Sequence, residues 1–282
     1  MAPHFTLKIG DNLKTPQQKR DYNEKVFAEI APRYDFITRA LSFRRDAHWK
    51  RDLVAALPAA DNPFCVDLAC GTGDITLLLA GKYPHGHIVG LDITAPMLDI
   101  ARRRNTFPHV SFVLRDIGAL EFLAQSVDIV TGSYALRNAP DLDIVIEEIS
   151  RVLKPEGVAA FLDFSKPRSK ALQSLEYWLL KIWGGLWGFL LHRNHEVYSY
   201  IAESLRYFPD RDRLRAMLRS KGFAVVVSRL YFFGIAELVV VRKKGRINGA
   251  CEVEPSDSAN ATLRSKAFSL RNTWATPDNP RL

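Results

Sequence analysis

The stretch Cys65-Val66-Asp67-Leu68-Ala69-Cys70-Gly71-Thr72-Gly73-Asp74 constrains this chain more than any other. An apolar run carrying one carboxylate ends in a turn of small residues, and a helix-forming segment from Ile75 to Ala80 follows. Backbone that passes close to a ligand needs glycine there, because a Cβ blocks the approach. The helix start behind the turn presents free N–H groups to whatever docks against it. A dinucleotide fingerprint carries a third glycine three residues after the second, where this chain has Thr76. An acid four residues before the first glycine repels a pyrophosphate and suits a ligand with a cationic end. Asp67, Gly71 and Gly73 are therefore candidate binding residues, although such a turn also occurs as a plain strand–helix connection.

The surrounding sequence sets that turn in an alternating pattern. Apolar runs at Cys65–Leu68, His87–Asp92, Val110–Leu114, Val127–Gly132 and Val158–Asp163 alternate with helix-period segments near 75–82, 96–105, 119–124 and 141–153. Their near-continuous Val, Ile and Leu content predicts strands buried on both faces, hence a parallel sheet. Two further strands, Ala224–Leu230 and Ala236–Val241, flank Tyr231-Phe232-Phe233-Gly234 and are expected to close it. Upstream, Val26, Phe27, Ile30 and then Leu53, Val54, Leu57 recur at helical spacing. The expected fold is α/β, a doubly wound, mostly parallel, Rossmann-like sheet with N-terminal helices. Residues 1–20 read as a loose lead-in, 21–243 as the folded domain, and 244–282 as a disordered tail with too little apolar surface to pack. The apolar, tryptophan-rich segment 171–191 reads as part of a helical lid inserted over about 168–210. Glu176, Lys181 and Gly184-Gly185 interrupt it too often for a convincing membrane span.

The formal net charge of +8 invites a nucleic-acid reading. Residues 243–282 carry +3 of it, and the remainder is spread thinly over the folded domain. The three cysteines, Cys65, Cys70 and Cys251, have neither metal-ligand spacing nor an even disulfide framework, which points to a reducing, cytoplasmic compartment. His192 and His195 lack a third ligand nearby, and no metal is expected.

In a doubly wound sheet, ligands bind beyond the carboxyl ends of the strands. The second strand ends in Asp92, nineteen residues past Gly73, where a carboxylate grips ribose hydroxyls. The third ends in Arg115-Asp116-Ile117, a carboxylate and a backbone N–H suited to an adenine edge. Each acid alone is also a plausible helix cap, yet Asp67, Asp92 and Asp116 stand at three consecutive strand ends beside the glycine turn. The fourth strand is followed by Ser133-Tyr134-Ala135-Leu136-Arg137-Asn138, without the Asn/Asp-Pro-Pro-aromatic motif of nucleic-acid amino methyltransferases, so no nucleic-acid partner is expected.

The acid and Gly-x-Gly resemble the first motif of class I S-adenosylmethionine-dependent methyltransferases. The resemblance sharpens at Arg137-Asn138, Arg151-Val152-Leu153-Lys154-Pro155, Phe161 to Pro167, and Tyr198-Ser199-Tyr200-Ile201-Ala202-Glu203-Ser204, which look like the C-methyltransferases of ubiquinone and menaquinone biosynthesis. The N-terminal run from Val26 through Tyr34-Asp35 to Trp49-Lys50 is similar as well, as are Phe208-Pro209-Asp210 and Gly222-Phe223. The chain departs from the family at Ile37-Thr38, Asp46, Cys70, Glu156-Gly157 and Asp163. The resemblance implies S-adenosylmethionine as cofactor, with Thr72, Met97, Ile117 and Ser133 joining Asp67, Gly71, Gly73, Asp92 and Asp116 around it. It places Arg137 and Asn138 over the acceptor ring, and Tyr198, Tyr200, Glu203 and Ser204 in a substrate lid.

The implied reaction methylates a ring carbon of a polyprenyl quinol; another small phenolic or lipid acceptor is the alternative. Ring phenols titrate near ~10, so ionising one at neutral pH costs about 4 kcal/mol. A permanently charged guanidinium suits the charge that develops, which makes Arg137 the expected stabiliser. His195 and Asp163 are both candidate bases. Trp178, Trp183 and Trp187 suit either a greasy mouth with peripheral membrane contact or a packed lid. A second copy of the chain or a quinone-biosynthesis complex is admissible as partner.

Overall fold

The computed structural model describes residues 14–245. Thr15 opens the first helix, its hydroxyl accepting from the Gln18 N–H at 3.2 Å with Pro16 at the first helical position. Helix α1 (Pro16–Ile30) thus starts inside the stretch read as a lead-in. A 3₁₀ turn (Ala31–Arg33), α2 (Tyr34–Leu41) and α3 (Asp46–Ala55) complete an N-terminal helical layer.

The alternating region then folds as β1 (Phe64–Leu68), α4 (Asp74–Lys82), β2 (His87–Asp92), α5 (Ala95–Arg104), β3 (Val110–Leu114) and β4 (Val127–Ser133). It continues through α6 (Ala135–Asn138), α7 (Leu142–Val152), β5 (Leu153–Phe164), α8 (Lys170–His192), α9 (Glu196–Tyr207), α10 (Arg211–Ser220), β6 (Phe223–Tyr231) and β7 (Ala236–Lys243). The seven strands run in the order β3-β2-β1-β4-β5-β7-β6, parallel from β3 to β5, with β7 antiparallel between β5 and β6. Both faces are covered. Val66 and Val130 pack with Ile146, Ile149 and Leu218 on one side, while Cys65 and Ile129 pack with Leu53, Ile75 and Leu79 on the other. The expected doubly wound sheet is the observed one.

Two local expectations differ. Residues 119–124 form no helix, because their backbone groups are held from outside: Arg151 donates to the Phe122 carbonyl at 2.8 Å, and the Leu120 N–H donates to Glu148 at 2.9 Å. Strand β5 starts at Leu153 rather than Val158, since Leu153 already pairs with Val127.

The lid is a hairpin of α8 and α9, and the apolar segment 171–191 lies within the single 23-residue helix α8. Gly184 and Gly188 permit the close approach: a Cβ at either would come within 2.6 Å of the Tyr198 carbonyl oxygen or 2.5 Å of that of Asn194. Among the described residues, no helix is long and apolar enough to cross a membrane. Residues 246–282, which hold nearly all of the expected tail, lie outside the described residues, as do residues 1–13.

Candidate active site

The glycine turn is built as its sequence suggests. Gly71 and Gly73 adopt φ of +54° and +88°, a region costly for residues with a Cβ. The residue that replaces the third glycine has work of its own. The Thr76 hydroxyl donates to Asp67 at 2.7 Å, and the Thr131 hydroxyl donates to its other oxygen at 2.8 Å. Burial pushes the Asp67 carboxyl up to about 6. Asp67 therefore braces the turn from beneath while lining a small cavity with Gly71, Thr72, Ser133 and Tyr134.

Asp92 closes the end of β2. It accepts from the Gly71 and Thr94 N–H groups, both at 2.8 Å, and burial raises its carboxyl. Asp116 accepts from the Gly118 N–H at 2.8 Å and pairs with Arg20 of α1 at 3.0 Å. Asp92, Met97, Asp116, Ile117 and Ser133 converge on one cavity of about 630 Å³ of empty space, some of it open to solvent. Its roof comes from the N-terminal helices, as Asn23, Phe27 and Tyr34. Thr72 lies at the edge instead, its hydroxyl donating to Asp35 at 2.8 Å.

A second and larger cavity, about 1510 Å³ of empty space and also partly open, adjoins the first. Phe27, Tyr34, Tyr134 and Asn138 line both, so they form the shared wall. The larger cavity is apolar except for a few groups, among them Arg137, Asn138, Tyr198 and Tyr200. Tyr134, left-handed at φ +60°, turns the chain sharply from β4 into α6 and puts Arg137 and Asn138 at the strand end.

Arg137 is only 3% exposed. Its guanidinium donates to Ser204, lies 3.6 Å from Asp163, and sits over the Phe164 and Tyr200 rings at 5.2 and 5.7 Å. Its Nε has no hydrogen-bond partner among the described residues. The partner acid is thus Asp163 on β5, while the nearer-in-sequence Asp141 caps α7. Burial raises the Asp163 carboxyl.

The N-terminal helix holds this corner in place. Lys19 Nζ donates to the carbonyls of Arg137 at 2.9 Å and Ala139 at 2.6 Å. Asn23 donates to the Asn138 carbonyl at 2.8 Å and accepts from the Tyr200 hydroxyl. Burial, with Arg137 nearby, lowers the Lys19 ammonium to about 8.

Of the expected lid residues, Tyr198 and Tyr200 line the larger cavity, and Ser204 meets Arg137. Glu203 does not join them: Tyr177 donates to it at 2.6 Å and Lys181 at 3.0 Å, between α8 and α9. Of the two candidate bases, His195 is exposed and lines neither cavity, while Asp163 sits directly beside Arg137. Sequence reasoning missed the roles of Lys19, Asn23, Phe27, Tyr34 and Tyr134. The one available signal was that the Val26–Tyr34 run shared the family pattern far from the glycine turn.

A profile of the ubiE/COQ5 methyltransferase family matches residues 15–243. The chain belongs to this ubiE/COQ5 family. A demethylmenaquinone methyltransferase of Geobacillus stearothermophilus is 34% identical over 226 residues, covering 79% of this chain and 97% of the relative. One from Thermus thermophilus is 38% identical, covering 76% and 98%. A 2-phytyl-1,4-naphtoquinone methyltransferase of Thermosynechococcus vestitus is 34% identical, covering 78% and 98%. Among solved structures, a Haloferax volcanii methyltransferase in complex with its Trm112 activator shares the fold at a TM-score of 0.57 and 20% identity, covering 77% and 97%. As a ubiE/COQ5 member, the chain is an S-adenosylmethionine-dependent methyltransferase.

The residues present fit that cofactor. The Ser133 hydroxyl is buried without a partner among the described residues and lines the smaller cavity. Beside it, Gly71 leaves the backbone bare of any Cβ, and the acids at the ends of β2 and β3 reach the same space.

Proposed function

We propose that the larger cavity receives the ring of a polyprenyl quinol of the demethylmenaquinol or demethoxyubiquinol type, and that a ring carbon is methylated there. S-adenosylmethionine-dependent C-methylation in quinone biosynthesis is the family's activity and this chain's. The observation that carries the substrate reading is the shared wall: an apolar cavity large enough for a ring and the start of a tail meets the cofactor cavity at Phe27, Tyr34, Tyr134 and Asn138.

Asp67, Gly71, Thr72, Gly73, Asp92, Met97, Asp116, Ile117 and Ser133 form the cofactor side of this reading, with Asp92 toward ribose hydroxyls and Asp116 with the Ile117 N–H toward the base. Bound there, S-adenosylmethionine supplies an electrophilic methyl group on sulfur. Arg137, which lines the larger cavity, stabilises the phenolate whose charge makes the ring carbon nucleophilic. The rings of Phe164 and Tyr200 hold the guanidinium in place. Asn138 fixes the acceptor by standing in both cavities, its amide held by the Tyr134 carbonyl at 2.8 Å. The apolar wall excludes water, which strengthens the Arg137 charge at the ring oxygen. With the cofactor held by these residues, its methyl group would pass to the ring carbon, and the ring proton would be given up to water at the open side of the larger cavity. Tyr198 and Tyr200 of the lid line the acceptor cavity, while Glu203 ties α9 to α8 through Tyr177 and Lys181.

The test supplies isotopically labelled S-adenosylmethionine with a panel of demethylated quinols and simple phenols. Label on a quinol ring carbon supports the reading. Label only on small phenols, or on oxygen, overturns it.

A further inference from the structure

The outer face of α8 is apolar, and among the described residues no other element packs on it. Leu175, Trp178, Leu179, Ile182, Leu186 and Phe189 repeat at three- and four-residue steps, and each is about half exposed or more, with Ile182 at 68%. At 1.5 Å per residue the stripe is roughly 20 Å long. Isolated apolar side chains at a surface need no explanation, but a contiguous stripe marks a contact.

This stripe continues into the mouth of the larger cavity. Leu179 and Phe43 both line that cavity and stand more than half exposed, at 54% and 55%. Phe43 stacks on Trp183 at 5.2 Å and on Phe232 at 5.6 Å, and Phe233 beyond it is fully exposed. The cavity therefore opens through an aromatic collar onto the same face.

The rim carries cations. Arg33, which donates to the Leu191 carbonyl at 2.7 Å, and Arg44 and Arg45, which follow Phe43, are exposed, and Arg193 follows the end of α8. Asp35, the only acid in residues 33–45, is turned inward to Thr72 and Arg104. The only acid of α8, Glu176, is buried. An apolar stripe with a basic rim matches an anionic bilayer surface, where apolar side chains enter the acyl boundary and arginines meet the headgroups.

We propose that the α8 face, with Phe43 and the Phe232–Phe233 turn, docks on an anionic membrane surface and turns the acceptor cavity toward the lipid. The quinol ring then enters through the collar while most of its tail stays in the bilayer. The second statement rests on the quinol reading; the first does not.

The test uses the full chain and two kinds of vesicle, phosphatidylethanolamine with phosphatidylglycerol, and phosphatidylcholine alone. The wild type co-sediments with the anionic vesicles and much less with the neutral ones. The triple variant Ile182→Ser, Phe189→Ser, Phe233→Ser, none of which lines the cavities, loses binding by about tenfold or more. Its melting temperature and its rate on a short-tailed, water-soluble quinol stay as in wild type. Its rate on a long-tailed quinol in anionic vesicles falls about tenfold. Wild type that ignores anionic vesicles, or a triple variant that binds them equally well, overturns the docking face. A wild-type dimer on size-exclusion chromatography that the triple variant dissolves also overturns it, because the stripe is then covered by a second copy. Vesicle binding without methylation of any quinol refutes the substrate reading and leaves the docking face standing.

Discussion

Removing the Arg137 guanidinium tests the catalytic corner, provided stability is measured beside rate. At 3.6 Å and an effective dielectric of about 20, the Arg137–Asp163 attraction is worth ~5 kcal/mol. Arg137→Leu strands a carboxylate that is 5% exposed. Asp163 can escape by taking a proton, which at pH 7 costs about 4 kcal/mol against its ordinary pKa, so the loss of stability is expected at roughly 3–4 kcal/mol. In the variant, the folded state holds a proton on Asp163 that the unfolded state gives up above its ordinary pKa. The deficit against wild type therefore widens as pH rises from 5 to 7. Arg137→Leu with Asp163→Asn removes both charges and recovers most of the stability. Turnover stays down by about 10²–10³ in the double variant, the scale for losing one donor to a developing oxyanion. Urea unfolding at two pH values and methyl transfer from labelled S-adenosylmethionine measure the two effects. A single variant within about 1 kcal/mol of wild type refutes the pairing argument. A double variant with normal turnover refutes the role in chemistry.

Asp92→Ala should weaken S-adenosylmethionine binding by about 1–3 kcal/mol in calorimetry, since Asp92 also orders the Gly71 and Thr94 N–H groups; unchanged affinity in a folded variant refutes the ribose assignment. Lys19→Met removes two bonds to the carbonyls around Asn138 and should lower kcat more than it raises KM, and Lys19→Arg should rescue part of it; a variant with wild-type kcat shows that the corner holds itself. Glu176 is buried with neither oxygen hydrogen-bonded among the described residues, and its carboxyl is pushed up to about 8 by burial. The folded state thus keeps a proton that the unfolded state loses above about 4.5, and this contribution to stability drains away between those values as pH rises. Glu176→Gln should accordingly raise the melting temperature at pH 8 and change it little at pH 5; equal shifts at both contradict the assignment.

What was legible in the sequence followed from short-range rules. Strands buried on both faces write themselves as unbroken Val, Ile and Leu, so β1 to β4 could be placed nearly to the residue. The acids at strand ends were legible because a doubly wound sheet has one rim where ligands bind. The rest depended on long-range geometry. Nothing local marks Asp163 as the partner of Arg137, because the two meet only when β5 lies beside β4. Glu203 looked like a lid residue beside Tyr200, yet the helical period turns it toward Lys181 and Tyr177. The segment 119–124 had helical spacing, but Arg151 and Glu148 hold its backbone groups in another shape.

The α1 roof has a consequence for folding. It joins residues far apart in the chain: Asn23 meets Tyr200 across 177 positions, and Lys19 meets Arg137 across 118. The first of these contacts forms only once the chain has reached Tyr200, although β7, which lies between β5 and β6, is made later still. The roof of both cavities therefore rests on side-chain contacts of α1 that no strand pairing uses. A preparation nicked near residue 33 by a protease would keep its strand content and its cooperative melt. It would read as native by circular dichroism while lacking one side of both cavities.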